Sequence, residues 1–204
     1  TDIDLPGGQG GPFHAILERT PYGKHLASRS ELTVRRERPM SRSEVAKAFC
    51  EAGYAVVFQD CRGRYGSQGE FTKYLSEAPD GYDTIQWIAE QAWCSGTVGT
   101  MGLSYAAHTQ LAAACLAPPA LAGMILDSGG FSNAYRCGIR QGGAFELKQA
   151  TWAYHRASEG RACAEDPNLC AALEAENIID WFGRMPWSRG NSPIRWEPEY
   201  ESYQ

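Results

Sequence analysis

Two runs constrain the fold more than any other part of the chain: Tyr54-Ala-Val-Val-Phe58 and Leu121-Ala-Gly-Met-Ile-Leu126 carry no alternating polar positions. That is the pattern of strands covered on both faces, as in a parallel sheet with helices on either side. His14-Ala-Ile-Leu-Glu18 and Thr97-Val-Gly-Thr-Met101 read as further strands. Helices fall between them. Ser43 to Ala52 has a serine cap, helix formers and a closing Gly53, while Asp80 to Gln91 spaces Tyr82, Ile85, Trp87, Ile88 and Ala89 as an apolar stripe behind an acidic first turn. An alanine-rich stretch then ends near Leu116, with Pro118-Pro119 as a breaker. The order strand, helix, strand predicts an α/β chain with a mostly parallel, doubly wound sheet, in which ligands bind at the carboxyl ends of the strands.

The 204 residues can bury a sizeable core. The pattern changes at Phe131. Gly142-Gly143 leads into a helical Ala144 to Ala157, Leu173 to Phe182 reads as a second amphipathic helix, and no strand is expected after Leu126. Residues 186–204, rich in Pro, Trp and Tyr, close into no element. Residues 1–130 are therefore expected to form a sheet core, and residues 131–204 a helical insertion capping the strand ends.

Several function classes drop out. A net charge of -5 argues against nucleic acid or an anionic membrane surface as partner. No apolar run approaches the ~20 residues of a membrane span. The glycine-rich Asp60-Cys-Arg-Gly-Arg-Tyr-Gly-Ser-Gln-Gly69 lacks the Lys and Ser/Thr of a phosphate-binding loop, so Asp60 and Arg62 are read as a structural ion pair. The charged stretch 25–42, with Arg35-Arg-Glu-Arg38, reads as a solvated loop. Cys50, Cys61, Cys94 and Cys115 read as core thiols, Trp87 and Trp93 as core aromatics, and Cys163 and Cys170 as the one pair close enough to suggest a bridge. No Cys/His spacing calls for zinc, and no metal or cofactor is expected. No secretory leader is visible in a chain that begins at Thr1, and the expected location is cytoplasmic.

The chemistry centres on Gly102-Leu-Ser-Tyr-Ala106, between a strand and a helix. Small residues two positions either side of Ser104 allow the tight turn that lifts a nucleophilic Oγ out of the backbone, and the following helix aims N–H groups at a developing oxyanion. A serine opening a helix can instead be a simple N-cap. Tyr22, in Arg19-Thr-Pro-Tyr-Gly-Lys24, is expected at the mouth of the sheet, because Pro21 stiffens the turn.

Arg19-Thr-Pro-Tyr-Gly-Lys24, the Asp60-x-Arg-Gly-x-x-x-Ser-x-Gly69 loop, Trp93-Cys-Ser-Gly-Thr-Val-Gly99 and Gly102-Leu-Ser-Tyr105 together resemble the cocaine esterase/NonD hydrolase family, relatives of X-prolyl dipeptidyl-peptidases. The resemblance runs from residue 1 to about 155. It implies an α/β-hydrolase fold with a helical cap and a C-terminal jelly-roll, in a family of esterases, α-amino acid ester hydrolases, glutaryl cephalosporin acylases and dipeptidyl-peptidases. It also implies Ser104 as nucleophile, the Tyr105 backbone N–H as one oxyanion donor and the Tyr22 hydroxyl as the other. The substrate would be a small ester, an amide or a short peptide.

One part is out of pattern. In α/β-hydrolases the acid and the histidine follow the nucleophile after later strands. Here His14 and His25 precede Ser104, His108 lies one helical turn after it, and His155 falls on an expected cap helix. Asp127 ends the next strand and is a candidate acid. The expectation is a fragment, incomplete at both ends and inactive alone, with its base and acid beyond Gln204. A dipeptidyl-peptidase would need acids for a free amino terminus, for which Glu146, Glu159, Glu165 and Asp166 are candidates. A non-catalytic hydrolase remnant is the other reading.

Overall fold

The computed structural model describes residues 1–8, 10–27, 38–129, 140–141, 144–184 and 186–197. They belong to two compact units, one of Thr1–Cys61 with Leu75–Gly130, the other of Arg62–Tyr74 with Phe131–Gln204.

The first unit is a five-stranded sheet. Its strands are β1 (Asp2–Asp4), β2 (Phe13–Thr20), β3 (Ala55–Asp60), β4 (Cys94–Leu103) and β5 (Leu121–Asp127), in the spatial order β1-β3-β2-β4-β5. Strands β2 to β5 pair in parallel, and β1 runs antiparallel along β3 with Ile3 opposite Val57. The expected α/β architecture is present, with one antiparallel edge that the hydrophobic pattern did not announce.

Between the strands lie α1 (Arg42–Glu51), α2 (Glu77–Ala89) and α3 (Tyr105–Ala114). Side chains alternate across a strand, so β3 divides its apolar run between two cores. Ala55 and Val57 join Leu17, Val98, Ile85 and Ile88, whereas Val56 and Phe58 join Val45, Ala46 and Met101. Helix α1 covers one face of the sheet; α2 and α3 cover the other.

Helix α1 starts earlier than its apolar pattern suggests, because Ser41 rather than Ser43 is the cap. Glu44 N–H donates to Ser41 Oγ at 3.3 Å and Ser41 N–H donates back to Glu44 Oε2 at 2.7 Å, a closed capping box. Arg42, expected in a solvated loop, is instead buried. Its guanidinium forks onto Glu18 of β2 at 2.6 and 2.8 Å and lies 5.0 Å from the centre of the Phe58 ring. Helix α2 begins at Glu77, three residues before the expected Asp80, since Pro79 falls in a first turn where its missing N–H breaks no helical bond.

Strand β5 departs from its pattern: Met124, Ile125 and Leu126 are 38%, 64% and 41% exposed. It is the end strand of the sheet, paired through β4 alone, so its uninterrupted apolar run lacks the second covering face that such a run implies. Two expected core residues are also displaced. Trp87 is 45% exposed on α2, and Cys115 is exposed at the end of α3. Cys61 and Cys94 are buried as expected, and Cys50 is half-buried. Asp60 accepts the Lys24 backbone N–H at 2.7 Å, which ties the exit of β3 to the loop after β2.

The second unit is mostly helical, with α4 (Leu147–Ala157), α5 (Arg161–Glu165), α6 (Pro167–Glu174) and α7 (Ile178–Trp181). The expectation of no strand after Leu126 is corrected by a short antiparallel pair, β6 (Arg140–Gln141) and β7 (Ala144–Phe145). The expected helix start at Ala144 therefore moves to Leu147; Gly142-Gly143 lies outside the described residues, as does the charge run before Arg38. The single helix expected over Leu173 to Phe182 is two. Asp166 caps α6 through the N–H groups of Asn168 and Leu169, and the side chain of Asn177 accepts the Ile179 N–H at 3.1 Å to start α7. Cys163 and Cys170 form a disulfide joining α5 to α6, with Cα atoms 4.8 Å apart. Residues 186–197 form no helix, but Trp196 and Trp181 both donate indole N–H groups to Glu176, at 3.0 and 2.8 Å.

Residues 62–74 are built into this unit by two cations. Arg64, fully buried, donates to the Arg156 carbonyl at 2.9 Å and pairs with Glu159 at 3.2 Å. Lys73 is buried beside Gln149 Oε1, its ammonium 3.8 Å from the centre of the Trp152 ring. Desolvation pushes its pKa down to about 7 from 10.5. Between those values the unfolded chain holds a proton that the folded chain has shed. Stability should therefore rise with pH from about 7 toward 10, by at most ~1.4 kcal/mol per pH unit, and level off below 7, where both states hold the proton. Urea midpoints at pH 7 and pH 9 should show this rise in the native protein, and Lys73→Met should flatten the Lys73 contribution to it.

Candidate active site

Strand β4 ends at Leu103 and α3 begins at Tyr105, leaving Ser104 alone at the corner with φ 59° and ψ -112°. A non-glycine residue held there costs about 1–3 kcal/mol, so the surroundings must enforce it. They do so through the backbone. Ser104 N–H donates to the Asp127 carbonyl at 2.9 Å, and the Ser104 carbonyl accepts from Ala107 and His108 at 3.0 and 3.1 Å. The end of β5 and the first turn of α3 thus clamp the residue from both sides.

Two glycines make the clamp possible. Gly102 has φ 150°, and a Cβ there would lie 2.5 Å from the Ala106 Cβ; a Cβ on Gly129 would meet the Ser104 carbonyl oxygen at 2.4 Å. Gly102→Ala should accordingly displace the corner. A misplacement of about 1 Å is enough to lower kcat roughly 100-fold, and overpacking of this kind destabilises by ~1–3 kcal/mol. Measured together, kcat and the thermal midpoint would separate the two effects.

Ser104 is exposed, and its side chain makes no capping bond to α3. That observation separates the two sequence readings of the serine, because an N-cap serine spends its oxygen on the helix. Next to it, Tyr105 is buried as the first residue of α3, and its hydroxyl donates to Glu77 Oε1 at 3.0 Å. Tyr22 is half-buried, its backbone N–H held by Thr20 Oγ1 at 3.1 Å. The Tyr22 and Tyr105 rings meet edge to face, with centroids 6.4 Å apart. The structure therefore sets Tyr22 against Tyr105, the residue that follows Ser104.

The proton-relay candidates are elsewhere. His14 Nδ1 bonds Ser95 Oγ at 2.8 Å, near the start of β4 rather than its end. His25 faces Asp2 at 3.4 Å and is 77% exposed. His108 is buried, its ring edge-on to Tyr105 at 5.8 Å. His155, on α4 of the second unit, stacks edge-on to Tyr154 at 5.3 Å. Asp127 contributes its backbone carbonyl to the corner, while its carboxylate accepts the Ser128 hydroxyl at 2.9 Å. Among the described residues no histidine ring is hydrogen-bonded to the Ser104 hydroxyl; His108 reaches Ser104 through its backbone N–H alone.

Of the acids considered for binding an amino terminus, Glu159 is taken by Arg64, Arg156 and Tyr65, Glu165 by Arg161, and Asp166 by the cap of α6. A cavity of about 280 Å³ lies on the α1 side of the sheet, lined by Glu18, Met40, Phe49, Met101, Gly102 and Asp127 among others. Glu77, which accepts the Tyr105 hydroxyl and pairs with Arg19, was not singled out from the sequence, where Arg19 entered as a motif residue and Cys61 as a core thiol.

Comparison with known proteins matches residues 1–176 to the family described as X-Pro dipeptidyl-peptidase (S15 family). The cocaine esterase of Rhodococcus sp. (strain MB1 Bresler) is 42% identical over 106 residues, 51% of this chain and 17% of that protein. A CocE/NonD family hydrolase from Staphylococcus aureus superposes with a TM-score of 0.64 at 26% identity, covering 89% of this chain and 34% of the other. An α-amino acid ester hydrolase superposes with a TM-score of 0.59 at 28% identity, covering 78% and 27%. The chain thus spans about a third or less of the length of these relatives.

Proposed function

Because this chain belongs to the X-Pro dipeptidyl-peptidase (S15) family, a family of hydrolases acting on ester or peptide bonds, we propose that it carries the nucleophile and oxyanion-binding groups of a serine hydrolase. Ser104 Oγ attacks an ester or amide carbonyl, its proton passing to a general base. The carbonyl oxygen becomes an oxyanion held by the Tyr22 hydroxyl and the Tyr105 N–H, at the positive end of α3. Collapse expels the protonated alcohol or amine and leaves an acyl-Ser104, which water then cleaves to the acid and the free serine.

The observation that carries this reading is the Ser104 corner itself: an exposed hydroxyl, unused as a helix cap, on a strained backbone clamped by Asp127, Ala107 and His108. None of the four histidine rings is hydrogen-bonded to the Ser104 hydroxyl, and the relatives are several times longer than the matched segment. This reading therefore assigns the general base and its acid to chain outside these 204 residues. A small ester, an amide or a short peptide is the proposed substrate class. Ester or acyl-amide cleavage is preferred to capture of a free peptide amino terminus, since three of the four candidate acids, Glu159, Glu165 and Asp166, already have partners; Glu146, whose side chain does not cap α4, is the acid left for the alternative.

The test is labelling of the full-length protein with a fluorophosphonate probe, followed by peptide mass spectrometry. A single adduct on Ser104 is expected. An unlabelled protein, or an adduct on another residue, would overturn the reading in favour of a non-catalytic remnant or a different nucleophile.

A further inference from the structure

Glu77 opens α2 with no exposed surface, and Arg19 of β2 is only 4% exposed beside it. Arg19 Nη1 lies 3.2 Å from Glu77 Oε2 as an ion pair and donates to the Glu77 backbone carbonyl at 3.2 Å. Arg19 Nε donates to Gln59 Oε1 at 2.7 Å, and its other nitrogen approaches Asp80 at 3.7 Å. The Tyr105 hydroxyl donates to Glu77 Oε1 at 3.0 Å, and Cys61 is buried. Burial pushes the Glu77 carboxyl up, while Arg19, Tyr105 and Cys61 pull it back.

A buried ion pair is costly to desolvate, and well-packed apolar residues of similar volume would hold α2 to the sheet at least as well. What an apolar pair could not do is hold the tyrosine hydroxyl. Tyr105 adjoins Ser104 and supplies the backbone N–H assigned above to the oxyanion; its ring rests edge-on against Tyr22, which supplies the other donor. Arg19 lies three residues before Tyr22, and its carbonyl accepts the Thr109 hydroxyl of α3 at 3.3 Å. Both donor arms therefore run back to the same buried pair.

We propose that Glu77 is a positioning residue for hydrolysis: held against Arg19, its carboxylate anchors the Tyr105 hydroxyl and so aims the Tyr105 N–H and the Tyr22 hydroxyl at one point. The proposal rests on the reading of Ser104 as nucleophile. Tyr105→Phe tests it, because the ring and the backbone N–H stay while the bond to Glu77 is lost.

In the full-length protein, with a chromogenic ester as substrate, Tyr105→Phe should lower kcat about tenfold and leave KM within twofold. That split is the signature of an interaction made mainly in the transition state. The rate of fluorophosphonate labelling at Ser104 should fall in parallel. Glu77→Gln keeps an oxygen acceptor for Tyr105 and should retain more of kcat than Glu77→Ala, which keeps none; should the alanine variant fail to fold, Tyr105→Phe decides. If the native protein labels at Ser104 and Tyr105→Phe labels at the same rate, or raises KM with kcat unchanged, the positioning role is overturned and the nucleophile stands. A native protein that does not label at Ser104 overturns both.

Discussion

Ser104→Ala in the full-length protein should lower kcat by about 10⁵ to 10⁶-fold, the loss seen when the nucleophile of a triad is removed. It should also abolish the fluorophosphonate adduct. The structure gives a reason to expect this loss without unfolding. The Ser104 hydroxyl caps nothing, and the bonds that hold the corner are made by its N–H and carbonyl, which alanine keeps. The thermal midpoint should stay within about 1 °C, since surface changes away from packing or capping features rarely exceed ~0.5 kcal/mol. KM should change little, because in the proposed mechanism the lost group acts in bond making rather than in holding the ground state. A variant that kept more than a hundredth of the native kcat would remove Ser104 from the chemistry whatever its backbone geometry.

Tyr22→Phe carries the second largest expected effect. Deleting one of two oxyanion donors costs about 10² to 10³-fold in kcat, or ~3–4 kcal/mol of transition-state stabilisation. Phenylalanine preserves the edge-to-face contact with the Tyr105 ring and leaves the backbone bond from residue 22 to Thr20 Oγ1 untouched. Only the hydroxyl is lost. KM should stay within a few-fold and kcat should take the loss. Groups that act as a unit are strongly non-additive, so combining Tyr22→Phe with Ser104→Ala should lower kcat little below the level of Ser104→Ala alone. A Tyr22→Phe enzyme with native kcat and a raised KM would make Tyr22 a substrate-binding residue instead.

These two effects exceed the tenfold loss expected for Tyr105→Phe because of where each group stands relative to the reacting atoms. In the proposed mechanism Ser104 forms the bond and Tyr22 touches the developing charge. The Tyr105 hydroxyl does neither in that mechanism; it donates to Glu77, and its proposed part is to hold its own backbone N–H in place.

Much of the core was readable from local pattern. The apolar run at 54–58 became β3, divided between two cores as period-two alternation requires. Gly102 and Ala106, small residues flanking the serine, turned out to be in such close approach that no side chain fits on Gly102. Where local reading failed, a distant partner decided the outcome. Asp2-Ile3-Asp4 has no strand pattern and becomes β1 only by pairing with Val56 to Phe58. Arg42 looks like a loop cation and is buried because Glu18, 24 residues earlier, forks onto it. The run at 173–182 keeps a helical period across residues 175–177, yet the side-chain cap of Asn177 restarts it as a separate helix.

From the sequence by itself came the strand and helix order and the serine corner, with Tyr22 marked as its companion through family resemblance. The order and the corner depend on side-chain period and residue size over a few neighbouring positions. Only the tertiary structure decided that the serine hydroxyl is not a helix cap, and that Tyr105 hangs from Glu77, 28 residues away, which in turn is paired with Arg19, 58 residues before it. Such a cluster leaves no periodic trace in the chain. Its members are chosen for a meeting that folding creates, and each one alone reads as an ordinary charge or an ordinary aromatic.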